Sequence, residues 1–328
     1  MKTIKRLSDS RIFRALITCV ALLYVLQSGR KLLPECNFLP DFSSPWFAAA
    51  IVLALLYRII NAFGWTLVLR AMNQSVDGAQ ATRVWLHAES RRWLPGGVWG
   101  YASRATQAQQ LNVSSSVASA SMLIELLLTI AACIIVFFPV TIVYRNEVIE
   151  AIGSLERYSF SLWIGVGSVC TVAVACILLR RKLTRKINSF RERLQLLQDV
   201  SLDARKMFSA LTFYVAMGWL NGMVTACLLW SMPLTEFPPL VVVVAATSLS
   251  WVIGFFAIFA PGGLFVREAS FAVSTGLWMP YSIGLSLAIL ARVVQLGAEV
   301  GGMLWVWIMS RPQLAHSGNA SLVLKEQL

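Results

Sequence analysis

Six stretches of this chain stay apolar for at least the thickness of a bilayer, and that constrains its fold more than any motif does. A hydrocarbon core of about 30 Å takes about 20 residues of helix to cross. Residues 46–69, 113–143, 160–179, 208–230, 239–260 and 282–309 each reach that length. Residues 12–27 form a shorter seventh candidate, and 264–279 a marginal eighth. Charged residues make up 13% of the chain, against about 25% in soluble domains, so lipid is the solvent it is built for. The chain reads as all-α: one polytopic helical integral membrane domain over 1–328, with about seven or eight crossing helices.

The net charge of +12 belongs to the membrane surface and not to a nucleic acid, because of where it lies. Residues 1–14 carry five basic residues and one acid, and 180–206 carry nine against three. The loops 28–45, 144–158 and 231–238 sum to zero, minus one and minus one. Cytoplasmic loops collect Lys and Arg, so the N-terminus and 180–206 are expected in the cytoplasm, with 144–158 outside. No small-residue cleavage site follows the basic and apolar start in "LLYVLQSGRKLLPE", so 12–27 reads as an uncleaved first helix.

Other classes of function are disfavoured by composition. The six cysteines are scattered without a CxxC pair, and His87 and His316 are the only histidines, so neither a disulfide framework nor a histidine-rich metal site is expected. Nothing resembles a Walker loop, a nucleophile elbow or a zinc-protease motif. No cofactor is expected.

Residues 91–104, "RRWLPGGVWGYASR", put a helix breaker and three arginines between two apolar stretches, and "IFAPGGLFVREAS" at 258–270 repeats the Pro-Gly-Gly. Pro261 follows Pro95 by 166 positions, and an ungapped overlay of 95–125 on 261–291 gives five identities. Breaks at corresponding positions in two halves mark the binding site of many transporters. The expected pseudo-repeats are 46–143 and 207–310, and the four spans counted between the breaks would put both on the cytoplasmic side. An unwound backbone at membrane depth survives only inside protein or beside water. The polar run 87–112 therefore reads either as a re-entrant or interfacial helical pair hinged at Pro95–Gly97, or as a cytoplasmic loop with a turn. Trp93 and Trp99 suit either.

Between the halves, Leu183, Ile187, Phe190, Leu194 and Leu197 make one apolar helical face opposite Arg181, Arg185 and Arg191. Such a helix lies on an anionic leaflet or packs as a basic loop on the protein. The segment 180–206 is thus the expected basic amphipathic linker, with anionic lipid as its partner.

Ionisable groups inside spans are costly and face a cavity or a partner. Arg58, Asn61 and Trp65 share a face at i, i+3 and i+7; Arg292, Gln295 and Glu299 form a stripe on the last long helix; Glu125, Arg267 and Glu268 are also intramembrane. Each has an alternative reading as an internal ion pair or a snorkelling arginine. The small residues at 114–121 suit close helix packing.

"RRWLPGGVWGYASR", Glu125 in "SMLIELLLT" and "APGGLFVREAS" together resemble the lysylphosphatidylglycerol synthase/flippase transmembrane family, over roughly residues 10–310. That family includes membrane proteins associated with glycosyltransferases and with hopanoid synthesis. The resemblance implies a helical membrane domain that moves amphiphilic lipids between leaflets. By motif it implies functional roles for Pro95, Gly96, Arg104, Glu125, Pro261, Gly262, Gly263, Arg267 and Glu268. Members that make aminoacylated lipid carry a large soluble catalytic domain after the membrane part. About 18 residues follow Ser310, too few for a catalytic domain, so synthase activity is not expected.

The leading expectation is a non-enzymatic, flippase-like transporter of a phospholipid, polyprenyl-linked or hopanoid-type lipid. Its substrate-binding residues are expected to be Pro95, Gly96, Gly97, Arg104 and Glu125, then Pro261, Gly262, Gly263, Arg267 and Glu268, with Arg292 and Glu299. Arginines would grip phosphate bidentately, and the glutamates would balance charge or carry protons. One rival is an accessory subunit of a neighbouring synthase or glycosyltransferase. Another is a polyprenyl-phosphate glycosyltransferase using Glu35 and Asp41. Each basic residue near an anionic surface contributes about 1 kcal/mol. Changing Arg181, Arg185 and Arg191 together to Gln should therefore weaken binding of a 180–200 peptide to anionic vesicles. Equal binding of the parent peptide to neutral and anionic vesicles would refute a leaflet-bound helix.

Overall fold

The computed structural model describes residues 40–89, 99–146, 202–257, 263 and 265–323, without the side chains of Trp99, Met303 and 305–323. The helices are α1 (Pro45–Ala71), α2 (Gly78–Glu89), α3 (Trp99–Gln107), α4 (Ser115–Val143), α5 (Ala204–Trp230), α6 (Leu240–Phe256), α7 (Val266–Ser274) and α8 (Tyr281–Val323). Helices α1, α4, α5 and the Tyr281–Gly302 part of α8 are long and apolar enough to cross a membrane. The protein is a polytopic helical membrane protein. The predicted helices at 12–27 and 160–179, and the linker up to residue 201, lie outside the described residues.

Local chemistry sets where the long helices begin. The Ser44 hydroxyl caps α1 ahead of Pro45, whose missing N–H costs nothing at a first helical position. The Ser114 hydroxyl caps α4 after Asn112 turns the chain through a left-handed conformation. Asp203 accepts from the backbone amides of Lys206 and Arg205, which start α5 and hold its carboxyl below the usual carboxylate range.

Contacts at the helix ends define two faces. At one, the Asp41 amide donates to the Ser231 carbonyl at 2.8 Å, Trp46 meets Trp230 edge-on, and Tyr144 meets Trp278. At the other, the Asp203 amide donates to the Ala71 carbonyl at 3.0 Å, and the Lys206 ammonium to Asn73. We call these the Trp230 and Ala71 faces.

Two helical hairpins enter this bundle without crossing it. Helix α2 starts at the Ala71 face, where a Cβ on Gly78 would strike the Phe63 ring. It ends with Glu89 ion-paired to Arg58, the midpoint of α1. From there α3 and the 3₁₀ turn Ala108–Leu111 return to the cluster holding Leu69, Val76 and Val113. At about 1.5 Å per residue, the 27 residues of α1 span about 40 Å, so Arg58 lies deep. Helices α2 and α3 form a re-entrant pair on either side of the predicted hinge.

The second hairpin comes from the opposite face. Helix α6 lies antiparallel on α5, with Gly222 against Val244 and Gly218 beside Ser248. Its 17 residues reach about 25 Å, short of a full crossing. A Cβ on Gly263, whose φ is 69°, would lie 2.7 Å from the Gly254 carbonyl oxygen. The stem of Arg267 also lies across Gly254. The chain therefore doubles back along α6, and α7 leads to Trp278 and Met279 near the Trp230 face. Phe265, with φ 65° and ψ −40°, caps α7 in a conformation rare for a side-chain-bearing residue.

This corrects two expectations. Among the described residues, 239–257 form one leg of a hairpin and 265–279 turn back, so neither α6 nor α7 is a crossing helix. The two breaks consequently enter from opposite faces, where counting 239–260 as a span put both on one side.

Packing gives a paired test. At Gly222 even a methyl would lie 2.7 Å from the Val244 Cα, whereas at Gly297 nothing lies within 4 Å. Gly222→Ala should cost about 1–3 kcal/mol through overpacking, while Gly297→Ala should be neutral or stabilise by up to about 1 kcal/mol. Thermal unfolding in detergent distinguishes them.

Candidate functional site: a charged cavity at mid-depth

The ends of both hairpins meet one polar cavity of about 180 Å³. Its lining includes Arg58, Asn61, Glu89, Arg104, Glu125, Asn221, Arg267, Arg292, Gln295 and Glu299, from seven helices. A smaller pocket of about 50 Å³ shares Asn221, Trp251, Arg267, Arg292 and Gln295 with it, and adds Glu268, Thr225, Thr247 and Ser250. The two are continuous chemistry: charged toward the first hairpin, hydroxyl-rich toward the second.

Arg58 is held by carboxylates from two directions. Glu89 at the end of α2 and Glu299 on α8 each lie 3.5 Å from its guanidinium, and Trp85 presents its ring face at 5.0 Å. Unpaired, a guanidinium at this depth would cost several kcal/mol. Its partners tie the first hairpin to the last helix.

Arg104 is paired more closely. Its Nη1 meets the Glu125 carboxylate at 2.7 Å, and the rings of Trp65 and Trp85 lie at 5.1 and 5.9 Å. The Trp85 indole donates to the other Glu125 oxygen at 2.9 Å, and the Trp65 indole to Ser121 at 2.8 Å. Tyr214 faces the same carboxylate from α5. This aromatic box fixes the geometry of the pair while excluding water from it.

Toward the second hairpin, Arg267 lies over the Trp251 ring at 5.5 Å. Arg292 shares that wall, one helical turn from Gln295, whose amide donates to Asn221 at 2.9 Å. Glu268 is buried, and its Oε2 has no hydrogen-bond partner among the described residues.

Of the residues singled out from sequence, Arg104, Glu125, Arg267, Arg292 and Glu299 line the main cavity and Glu268 the smaller one. Gly263 is buried and sets the turn before α7. Pro95, Gly96, Gly97, Pro261 and Gly262 lie outside the described residues. The stripe of Arg292, Gln295 and Glu299 faces the cavity as its spacing implied, and so do Arg58 and Asn61. Asn221, Glu89, Trp85 and Trp251 were not anticipated. A lone Asn in the apolar run 208–230 was a signal that could have been read.

Asp41 takes no part in this cavity. Its carboxylate accepts from the Ser43 hydroxyl and amide, which hold it below its usual range at the entry to α1. It is exposed at the entry to α1. Glu35 lies outside the described residues.

The chain matches the family described as Lysylphosphatidylglycerol synthase TM region over residues 11–299. No curated protein and no solved structure matches it.

The pair in the aromatic box gives a test independent of function. Removing either partner of a buried ion pair strands the other and costs about 3–5 kcal/mol. Arg104→Gln and Glu125→Gln should each lower detergent stability by that order. The double variant should lose less than the sum of the two, since a coupled pair is non-additive. Simple additivity in unfolding would show that the two groups do not depend on each other.

Proposed function

This chain belongs to the lysylphosphatidylglycerol synthase transmembrane family, and on that premise we propose that it is a flippase-like transporter of an amphiphilic, phosphate-bearing lipid. The observation that carries the reading is the convergence of two half-crossing hairpins, from opposite faces, on one arginine-bearing cavity at mid-depth. A lipid headgroup needs such a place. Moving it through hydrocarbon unassisted costs the full desolvation of its charges, and a polar cavity halfway across replaces part of that hydration.

In this reading Arg267 and Arg292 hold the anionic group, since planar guanidinium forks match phosphate oxygens. The hydroxyls of Thr225, Thr247 and Ser250 and the amides of Asn221 and Gln295 supply hydrogen bonds around it. Arg104 and Glu125 act as a pre-neutralised wall, and Arg58 with Glu89 and Glu299 links the first hairpin to α8. The two Pro-Gly-Gly sites, Pro95–Gly97 and Pro261–Gly263, are part of the proposed substrate-binding set. Residues 46–143 and 207–310 are then inverted repeats whose hairpins serve the two leaflets in turn.

Orientation follows from charge. The Ala71 face carries three basic residues, Arg70, Arg205 and Lys206, beside Asp77 and Asp203, whereas the Trp230 face carries one, Arg145, beside Asp41 and Glu236. The Ala71 face is accordingly cytoplasmic, the membrane is the bacterial inner membrane, and the N-terminus is cytoplasmic.

A charge-assisted hydrogen bond contributes about 1.5–3 kcal/mol, so Arg267→Gln and Arg292→Gln should each slow translocation about ten- to a hundredfold. Arg→Lys should restore only part of the rate, because the ammonium lacks the bidentate fork. The check is a leaflet-sidedness assay in liposomes, read beside the melting temperature of each variant. Well-folded Arg267→Gln and Arg292→Gln proteins that translocate normally would refute the headgroup cavity.

A further inference from the structure

The polar cavity has an apolar edge where a closed headgroup site would have none. Tyr101, near the start of α3, lines the cavity yet is 47% exposed. On α4, Leu126 lines it while the adjacent Leu127 is 57% exposed; on α8, Leu296 lines it while Val293, one turn earlier, is 58% exposed. Leu126 lies 11 residues into a helix of 29, about 17 Å from its start at 1.5 Å per residue. That depth is hydrocarbon, not headgroup.

We infer that Tyr101, Leu126 and Leu296 frame a lateral mouth between α4 and α8, through which the hydrocarbon chain of the bound lipid lies in the bilayer while its headgroup occupies the cavity. The inference rests on the lipid-transporter reading for the identity of the occupant. Its geometry stands apart from that reading. A polar cavity open directly to acyl chains exposes ionisable groups to oil, which is costly. An amphiphile removes that conflict, with its polar end facing the arginines and its tail passing the leucines. Tyr101 suits the boundary, since its ring is apolar and its hydroxyl polar. A headgroup without a chain would leave the mouth lined by apolar side chains and filled by nothing that matches them.

Two measurements decide it. A nitroxide on Tyr101→Cys, in a protein without native cysteines and in phosphatidylethanolamine/phosphatidylglycerol liposomes, should be relaxed by oxygen and shielded from a water-soluble nickel chelate. Leu127→Cys serves as the lipid-facing reference. Relaxation dominated by the nickel chelate would mean the mouth opens to water, and the inference falls. In the second, Leu126→Trp combined with Leu296→Trp should fill the mouth and reduce translocation of fluorescent phosphatidylglycerol at least about tenfold, the energy of one or two buried methylenes. Leu123→Trp, at an exposed position outside the lining, should translocate like the parent, which controls for added bulk on α4. Unfolding curves for all variants identify any that fail to fold, and the milder Leu126→Phe replaces the double variant in that case. Normal translocation by the filled mouth, with Arg267→Gln inactive, overturns the portal and leaves the headgroup cavity standing. If Arg267→Gln is also fully active, the transporter reading falls, and the nitroxide result alone judges the mouth.

Discussion

Arg58 sits halfway along a helix long enough to cross a bilayer, and most of the surrounding structure can be read as the means of keeping a charge there. Carboxylates arrive from two directions, Glu89 on a hairpin that penetrates to the same depth and Glu299 on the last helix. Trp85 covers the guanidinium. Because Glu89 has to reach mid-depth, α2 has to enter the bundle and stop there. The chain can satisfy that requirement only by turning back inside protein, which is what a polar segment flanking Pro-Gly-Gly permits. One buried charge thus explains the depth of the first hairpin, the approach of α8, and the aromatic residues between them.

The second hairpin solves a related problem by close backbone contact. Gly254 and Gly263 bring the two legs together so tightly that neither position admits a Cβ, and the stem of Arg267 fills the remaining groove. Its guanidinium is thereby carried to the common cavity and laid over Trp251. The two hairpins use different chemistry, ion pairs in one and glycine contacts in the other, yet deliver arginines to the same place from opposite faces. Carboxylates hold Arg58 and Arg104 in the first half. Around Arg267 and Arg292 the second half instead gathers hydroxyls and amides.

Much of this was readable from residue order. Run lengths identified the long spans. The 3.6-residue period placed Arg292, Gln295 and Glu299 on one face, and Arg58 with Asn61 on another. Pro-Gly-Gly marked both hairpins. What remained hidden were consequences of tertiary packing. Hydropathy could not separate α6 from a true crossing, because a hairpin leg buried in protein is as apolar as one in lipid. That single ambiguity changed the inferred side of the second break. The partner of Arg104 was also hidden, since Glu125 lies 21 residues on and meets it only after α3 and α4 pack. Glu89 looked like part of a polar loop because its value depends on how deep α2 reaches.

The central claim is that a lipid headgroup passes through this cavity from one leaflet to the other. It is tested most directly with the unmodified protein in liposomes. Fluorescent phosphatidylglycerol, phosphatidylethanolamine and a polyprenyl phosphate would each be placed in both leaflets, then exposed to a membrane-impermeant quencher. The account predicts that, for at least one of these headgroups, quenching continues past the outer leaflet's share as inner-leaflet lipid is brought out. Quenching that stops at the outer leaflet for all three, as in protein-free liposomes, would contradict it.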